Sequence, residues 1–428
     1  MRRTGLLILL VLLCAAPVLC AASFGTPTDG SASVAFLDGH YSESAVAQKD
    51  RAFWDRSEIG LMTVGPGSIL YEWFGHSAVV VSCPGYDSLN FNYGYFSFDE
   101  KYFRNFAMGR LLYRLDASYT DFEVLNYKSN GRAVSQVNFN LSPEKKKAVS
   151  DFLRTNATPP DDTYLYHYYE DNCATRVRDL LNYVTDGDFE TWARGIKGHT
   201  FREWNSVVFG VNPFIQWVLD FLQSRAIDNR DASLWSEMYL PDRLLYAVEQ
   251  YPGLELTETE GSAAELHSFY EYRPRSVLLP ALLLSLAFSA VLFACAFFYN
   301  RKKSLGHVFN ALSFSVYLFF GLLGALLLFM MLFTTHDVTW GNENALIYSP
   351  LLLVAAILSL NSVKHRRVLL GLWYAEGCAL ALLVLLKLVL PGVLYQQNWA
   401  QILPLVPVVF VNIVAFRFCF KEDRTEQS

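Results

Sequence analysis

Two patterns of apolar and polar positions divide the chain. Up to about residue 272, apolar residues come in short runs among Asp, Asn, Tyr and Trp; beyond Arg273-Pro274-Arg275 they come in long stretches. In the first part Ile59 to Val64, His76 to Cys83 and Leu89 to Phe98 read as strands, the last two joined as a hairpin by Pro84-Gly85-Tyr86-Asp87. Ala133 to Leu141 alternates as a further strand. Ser142-Pro143-Glu144 then opens a helix to about Thr155, with Pro at its first position, where no amide hydrogen is needed. Thr163 to Tyr169 is an extended lead into a helix whose Ala174, Val177, Leu181 and Val184 make one apolar face, with Leu180 beside them. Phe214 to Leu222 is amphipathic, and Met238-Tyr239-Leu240-Pro241-Asp242 forms an apolar turn before a helix from Arg243 to Gln250. The Trp, Phe and Arg between Trp192 and Tyr251 fit the core of a late subdomain; Trp and Tyr also suit a lipid headgroup layer.

In the second part, apolar runs at about 276–299, 308–333, 347–363, 368–390 and 399–418 have the length of membrane-crossing helices, the third being shortest. Asn300-Arg301-Lys302-Lys303, Lys364-His365-Arg366-Arg367 and the tail around Arg417 and Lys421 are basic. Thr334 to Ala345 and Pro391 to Trp399 carry no Lys or Arg. Basic loops stay on the cytoplasmic side, so the alternation predicts five spans, residues 23–272 outside and the C-terminus inside. Lys387 lies near a predicted outer end, from which its side chain can snorkel, whereas Glu376 is deeper and a functional candidate.

Residues 1–22 resemble an export signal: Arg2-Arg3, an apolar core from Leu6 to Val18, and small residues at Cys20-Ala21-Ala22. Leu19 stands where a lipidation site needs a small residue, so ordinary cleavage or an uncleaved anchor is expected. Residues 23–50 form a polar lead-in, and 23–272 and 273–428 are read as the two domains. The chain's 52% of hydrophobic residues agrees with membrane segments. A net charge of −6 with no basic patch excludes nucleic acid as an expected partner. Seven cysteines, at 14, 20, 83, 173, 295, 378 and 419, show no metal-ligand spacing, and neither metal nor cofactor is expected.

The candidate chemistry starts at Cys173. Asn172 is a good N-cap, and a thiol in the following turn meets unpaired amides and the positive end of the helix dipole, which favour thiolate. The plainer alternative is a small buried hydrophobe at a helix start. A nucleophile needs a base, and the base needs a partner that orients it. Among His40, His76, His167, His199 and His267, His76 stands out in Phe74-Gly75-His76-Ser77-Ala78, at the head of an apolar strand. Asn90 and Asn92 share one face of the next strand; either can orient the imidazole, and Asn92 is favoured. Arg178 and Asp179 read as a solvated, self-paired helix face. Cys83 could join Cys173 in an oxidising compartment, which a catalytic role excludes.

Phe74-Gly75-His76-Ser77-Ala78, Phe91-Asn92-Tyr93-Gly94, Asn172 to Asp179 and Trp235 to Asp242 resemble the Lnb N-terminal periplasmic domain family, and the C-terminal spans resemble its membrane-anchored members. The order of His before Cys is similar to permuted papain-like folds of the lecithin–retinol acyltransferase type. The resemblance implies an α+β permuted papain-like domain outside the bacterial inner membrane, followed by an all-α bundle of about five helices. It implies a cysteine acyltransferase that moves a fatty acyl chain from a phospholipid donor to the α-amino group of a diacylated lipoprotein, with Cys173 as nucleophile and His76 as base. Asn172, Ala174, Arg176 and Tyr93 are the candidates for the substrate or oxyanion subsite. Two other functions stay open on these residues: a cysteine amidase or peptidase acting on cell-wall peptide, and a non-catalytic binding domain.

Overall fold

The computed structural model of the chain describes residues 55–96, 102–156, 163–257, 270–299 and 302–420. The expected export signal, the lead-in, His40, His267 and the strand's end at Phe98 lie outside the described residues. The strands are β1 Glu58–Val64, β2 His76–Ser82, β3 Leu89–Tyr95, β4 Leu112–Tyr119, β5 Val134–Phe139, β6 Thr163–Leu165 and β7 Leu256–Thr257. The helices are α1 Tyr102–Ala107, α2 Thr120–Ser129, α3 Pro143–Asn156, α4 Cys173–Val184, α5 Asp188–Arg194, α6 Phe201–Val208, α7 Pro213–Leu222, α8 Leu234–Glu237 and α9 Pro241–Gln250, then α10 Leu278–Phe297, α11 Lys303–Phe333, α12 Leu351–Ser359, α13 Arg366–Val389 and α14 Trp399–Val414. They group into two compact units: residues up to 211 with 229–274, and residues 212–228 with 275 onward.

The first unit is α+β. Its antiparallel sheet has the order β6-β4-β3-β2-β1-β5-β7. Strand alternation sorts its side chains onto two faces. Leu61, Val79, Val81, Phe91 and Tyr93 join the main core with Val177, Leu180 and Leu181 of α4. Met62, Val64, Ala78 and Val80 face the other way and pack with Tyr127 of α2. Two features set the start of β2. Gly75 adopts φ +81°, and a Cβ there would lie 2.5 Å from the Val64 carbonyl oxygen, so glycine alone fits this turn. The β2–β3 ladder begins only at Val79 opposite Phe91, so the backbone of Ser77 is not tied to β3 in that ladder.

The second unit is helical. α10, α11, α13 and the stretch Trp399–Cys419 are long and apolar enough to cross a membrane. The predicted third span, 347–363, contains a nine-residue helix, α12, about 14 Å long against a hydrocarbon core of about 30 Å. Gly324 lets the turn before α12 approach α11: a Cβ there would lie 2.2 Å from the Tyr348 carbonyl oxygen. Lys387 does not snorkel. It is buried, ion-paired with Glu343, and donates to the Gln396 carbonyl oxygen at 2.7 Å. Partners close at hand leave its ammonium no reason to reach for water. Glu376 is buried, and its Oε1 has no hydrogen-bond partner among the described residues.

Residues 212–228, read from sequence within the first domain, pack in the second unit. Trp217 Nε1 donates to the Ala400 carbonyl oxygen at 2.9 Å. Asn342 Nδ2 donates to the carbonyl oxygens of Phe221 and Leu222, each at 3.0 Å.

Candidate active site

Cys173 owes its place to Asn172. The Asn172 side chain accepts from the amides of Ala174 at 2.9 Å and Thr175 at 3.0 Å, while the Thr175 hydroxyl accepts from the Asn172 amide at 2.7 Å. This reciprocal cap fixes the first turn of α4. Asn172 Nδ2 donates to the carbonyl oxygens of Tyr168 at 2.9 Å and Tyr239 at 3.0 Å, tying the turn to the Met238–Asp242 segment. Asn172 is therefore committed to scaffolding rather than to substrate.

The Cys173 thiol lies against backbone amides of Ser77, Ala174 and its own residue. The Ser77 amide is the informative one, because Ser77 directly follows His76. The thiol thus docks at the start of β2, where the hairpin ladder has not yet closed. Burial pushes its pKa up; the three amides and the Arg132 guanidinium pull the other way without overcoming it. The resting group is the thiol. No disulfide joins Cys173 to Cys83, which is buried in the main core.

His76 is buried, and Nε2 donates to Asn92 Oδ1 at 2.9 Å. The direction follows from the other end of the amide: Asn92 Nδ2 donates to Glu123 Oε1 at 2.9 Å and Ser118 Oγ at 3.3 Å, leaving Oδ1 to accept. The proton therefore sits on Nε2, and Nδ1 carries the lone pair. Burial lowers the His76 pKa to about 4, against the hydrogen bond it donates to Asn92 and together with nearby Arg132, so the imidazole is neutral at pH 7. Asn90 does not take this role: it donates to Glu123 Oε2 at 3.0 Å and accepts from Thr120 Oγ1 at 3.0 Å.

Glu123 was not foreseen from sequence. Its buried carboxylate accepts from Asn90, Asn92, Tyr95 and Ser118, and burial raises its pKa against those bonds. His76, Asn92 and Glu123 thus form one hydrogen-bonded row under the sheet. Arg132 was also missed. It donates to the Gly65 carbonyl oxygen at 2.9 Å, lies over the Tyr127 ring and pairs with Glu72. The one available signal for Glu123 was polar spacing, since Thr120, Glu123 and Tyr127 fall on one helical face.

The remaining candidates divide. Arg176 pairs with Asp171, Nη2 to Oδ2 at 2.6 Å, and stacks over Tyr164 at 4.2 Å and Tyr93 at 5.9 Å, clamping the 167–171 turn. Tyr93 is buried in the main core. Ala174 is buried and its amide already donates to Asn172. Arg178 pairs with Asp179 at 2.8 Å as expected but is not solvated: it is buried, stacks on Trp235 at 4.1 Å and donates to the Trp235 carbonyl oxygen at 3.3 Å. A broad aromatic surface beside α4 draws it inward. Of the other histidines, His167 Nδ1 accepts from the Glu170 amide at 3.0 Å, and His199 pairs with Glu237 at 2.9 Å. Both serve local structure.

Cys173 opens on a cleft of about 30 Å³, walled by Phe74, Tyr166, Tyr168, Tyr169, Phe209 and Tyr239. That is room for about one water molecule beside the thiol.

An α+β domain with a cysteine at a helix N-terminus and a histidine at a strand start, in one chain with membrane-length helices, defines a class of membrane-anchored proteins. The chain belongs to the Lnb family: residues 49–207 match the Lnb N-terminal periplasmic domain and 273–423 the Lnb transmembrane domain. Both names point to a membrane protein with an extracytoplasmic domain, and the family to a membrane-associated acyltransferase related to lipoproteins. No curated protein and no solved structure gives a significant match.

Proposed function

We propose that this protein is a bacterial inner-membrane lipoprotein N-acyltransferase, with residues 23–272 outside, that works through a thioester on Cys173. The observation that carries this reading is the packing of α4 against β2, which brings the Cys173 thiol near the backbone amide of Ser77, the residue that follows His76. A neutral imidazole and a neutral thiol at rest call for general-base activation during attack rather than a preformed ion pair.

In this reading Cys173 Sγ attacks the ester carbonyl of a phospholipid while its proton passes to His76 Nδ1. The acyl–oxygen bond breaks, the lysophospholipid oxygen takes the proton back, and the acyl group remains on sulfur. The α-amino group of a diacylated lipoprotein then attacks the thioester, yields its proton through His76, and the carbon–sulfur bond breaks to leave an amide and the thiol. The amides of Ser77 and Cys173 are the natural donors to the oxyanion, since the Ala174 amide is engaged by Asn172. Asn92 holds the imidazole in the tautomer this needs, and Glu123 holds Asn92. The arrangement suits a permuted papain-like fold.

Mass spectrometry of lipoprotein N-termini tests the reading, in cells whose only acyltransferase is this chain. Wild type should give triacylated lipoproteins and Cys173→Ala diacylated ones, with equal amounts of protein in the membrane. Full triacylation with Cys173→Ala contradicts the mechanism. Lysophospholipid release without amide formation assigns the residues to a hydrolase instead.

A further inference from the structure

The second unit contains a groove of about 530 Å³ between α7, α10, α11 and α14, walled by residues such as Phe214, Trp217, Leu284, Phe288, Phe320 and Val408. Three lining residues carry polar side-chain atoms, and all three are committed to backbone carbonyls. Trp217 Nε1 donates to Ala400 at 2.9 Å, Tyr348 Oη to Gln401 at 2.9 Å and Ser285 Oγ to Pro404. What remains facing the groove is hydrocarbon.

The groove is built into the fold. Pro404 lies inside α14 and has no amide hydrogen, so the Ala400 carbonyl loses its helical partner. The Trp217 indole supplies that partner and fixes α7 against the kink. Asn342 and Asn344 hold the far end of α7 through the Phe221 and Leu222 carbonyls. Packed interiors hold few voids larger than a water molecule, and this volume falls in the range of pockets that enclose a ligand, about 300–1,000 Å³. Nothing charged lines it, so its occupant is neutral, apolar and flexible enough for an uneven trough. Among helices long enough to cross a bilayer, the ligand of that chemistry is a lipid hydrocarbon chain.

We propose that the groove holds one acyl chain of the donor phospholipid, a site that rests on the acyltransferase reading. Lipid tails are as apolar as the groove, so transfer into it from the bilayer gains little. Its effect is to select a chain by length and to hold it, rather than to bind it tightly.

The test uses full-length Cys173→Ala protein in lipid nanodiscs containing a phosphatidylcholine with a photoreactive diazirine near the end of one acyl chain. Mass spectrometry should find crosslinks on groove residues such as Phe288 and Phe320, enriched about tenfold over the exposed Leu382, Leu385 and Leu388 of α13. Ala281→Trp, which fills the groove, should remove that enrichment while the labelling of α13 and thermal melting stay unchanged. In the Cys173 background, Ala281→Trp should raise KM for long-chain donors and leave turnover of a short-chain donor intact. Equal labelling of groove and α13 reports only the lipid that surrounds any membrane protein and overturns the proposal. Crosslinking in an inert variant reads occupancy alone. Groove labelling without acyl transfer by wild type therefore refutes the reaction and not the site, and transfer without groove labelling does the reverse.

Discussion

His76 Nε2 donates to Asn92 Oδ1 across 2.9 Å, and that one hydrogen bond decides which nitrogen of the imidazole can accept a proton. Asn92 cannot turn its amide round, because its nitrogen is held by the Glu123 carboxylate at 2.9 Å. Asn92→Ala breaks both contacts, taking from His76 Nε2 its Asn92 acceptor while Glu123 keeps Asn90, Tyr95 and Ser118. It should cost about 1–3 kcal/mol of stability and lower acyl transfer by about 10²–10⁴-fold, the usual worth of a positioned base. Glu123→Gln keeps the volume but can no longer accept from both asparagines, so activity should fall with less loss of stability. Melting curves and initial rates on the two variants separate these effects. Full activity in Asn92→Ala would remove the row from the mechanism.

Burial of His76 also makes a pH prediction. Its folded pKa of about 4 lies below the ordinary value of 6.5, so between the two the unfolded chain binds a proton that the folded chain does not. Stability should therefore fall as pH drops from about 6.5 to about 4, by on the order of 3 kcal/mol in all. Glu123, whose pKa is raised, contributes with the opposite sign, losing stability as pH rises through its folded value. Subtracting the melting profile of His76→Gln from that of wild type isolates the imidazole. An unchanged profile would place His76 in contact with water.

Most of the site's two poles was legible in the sequence, and the row between them was not. Cys173 could be placed because Asn172 and the apolar spacing of α4 mark a helix start with little ambiguity. Asn92 was legible because strand alternation puts it on the His76 side of the hairpin. Glu123 was hidden by a helix of inverted pattern: Phe122 and Leu125 of α2 are 70% and 69% exposed, while Thr120, Glu123 and Tyr127 face inward. Reading hydrophobic residues as the buried face points such a helix the wrong way. α7 was assigned to the first domain because a ten-residue amphipathic helix is too short to span, although it packs in the unit of the membrane-length helices. Within the 347–363 run the regular helix is confined to α12, because composition does not register where the turn at Asn344–Tyr348 ends and α12 begins.

Lys387 and Glu343 are 44 residues apart, and nothing local announces their pairing. Both are almost fully buried, so removing one strands the other's charge. Lys387→Met or Glu343→Gln alone should destabilise the second unit by about 3–5 kcal/mol, and the double replacement should recover much of the loss. Thermal melting of the three variants in detergent tests this. Additive losses would mean that the two charges act independently.

The most direct test of the central claim is intact-protein mass spectrometry of the purified full-length protein, given phospholipid but no lipoprotein acceptor. Wild-type protein should gain the mass of one acyl group on Cys173, lose it to neutral hydroxylamine, and pass it to an added diacylated lipoprotein peptide as a hydroxylamine-resistant amide. Cys173→Ala should gain nothing, and Cys83→Ala should behave as wild type. An acyl group that forms equally well in Cys173→Ala, or peptide acylation that proceeds with no acylated Cys173 at any time, would contradict the account.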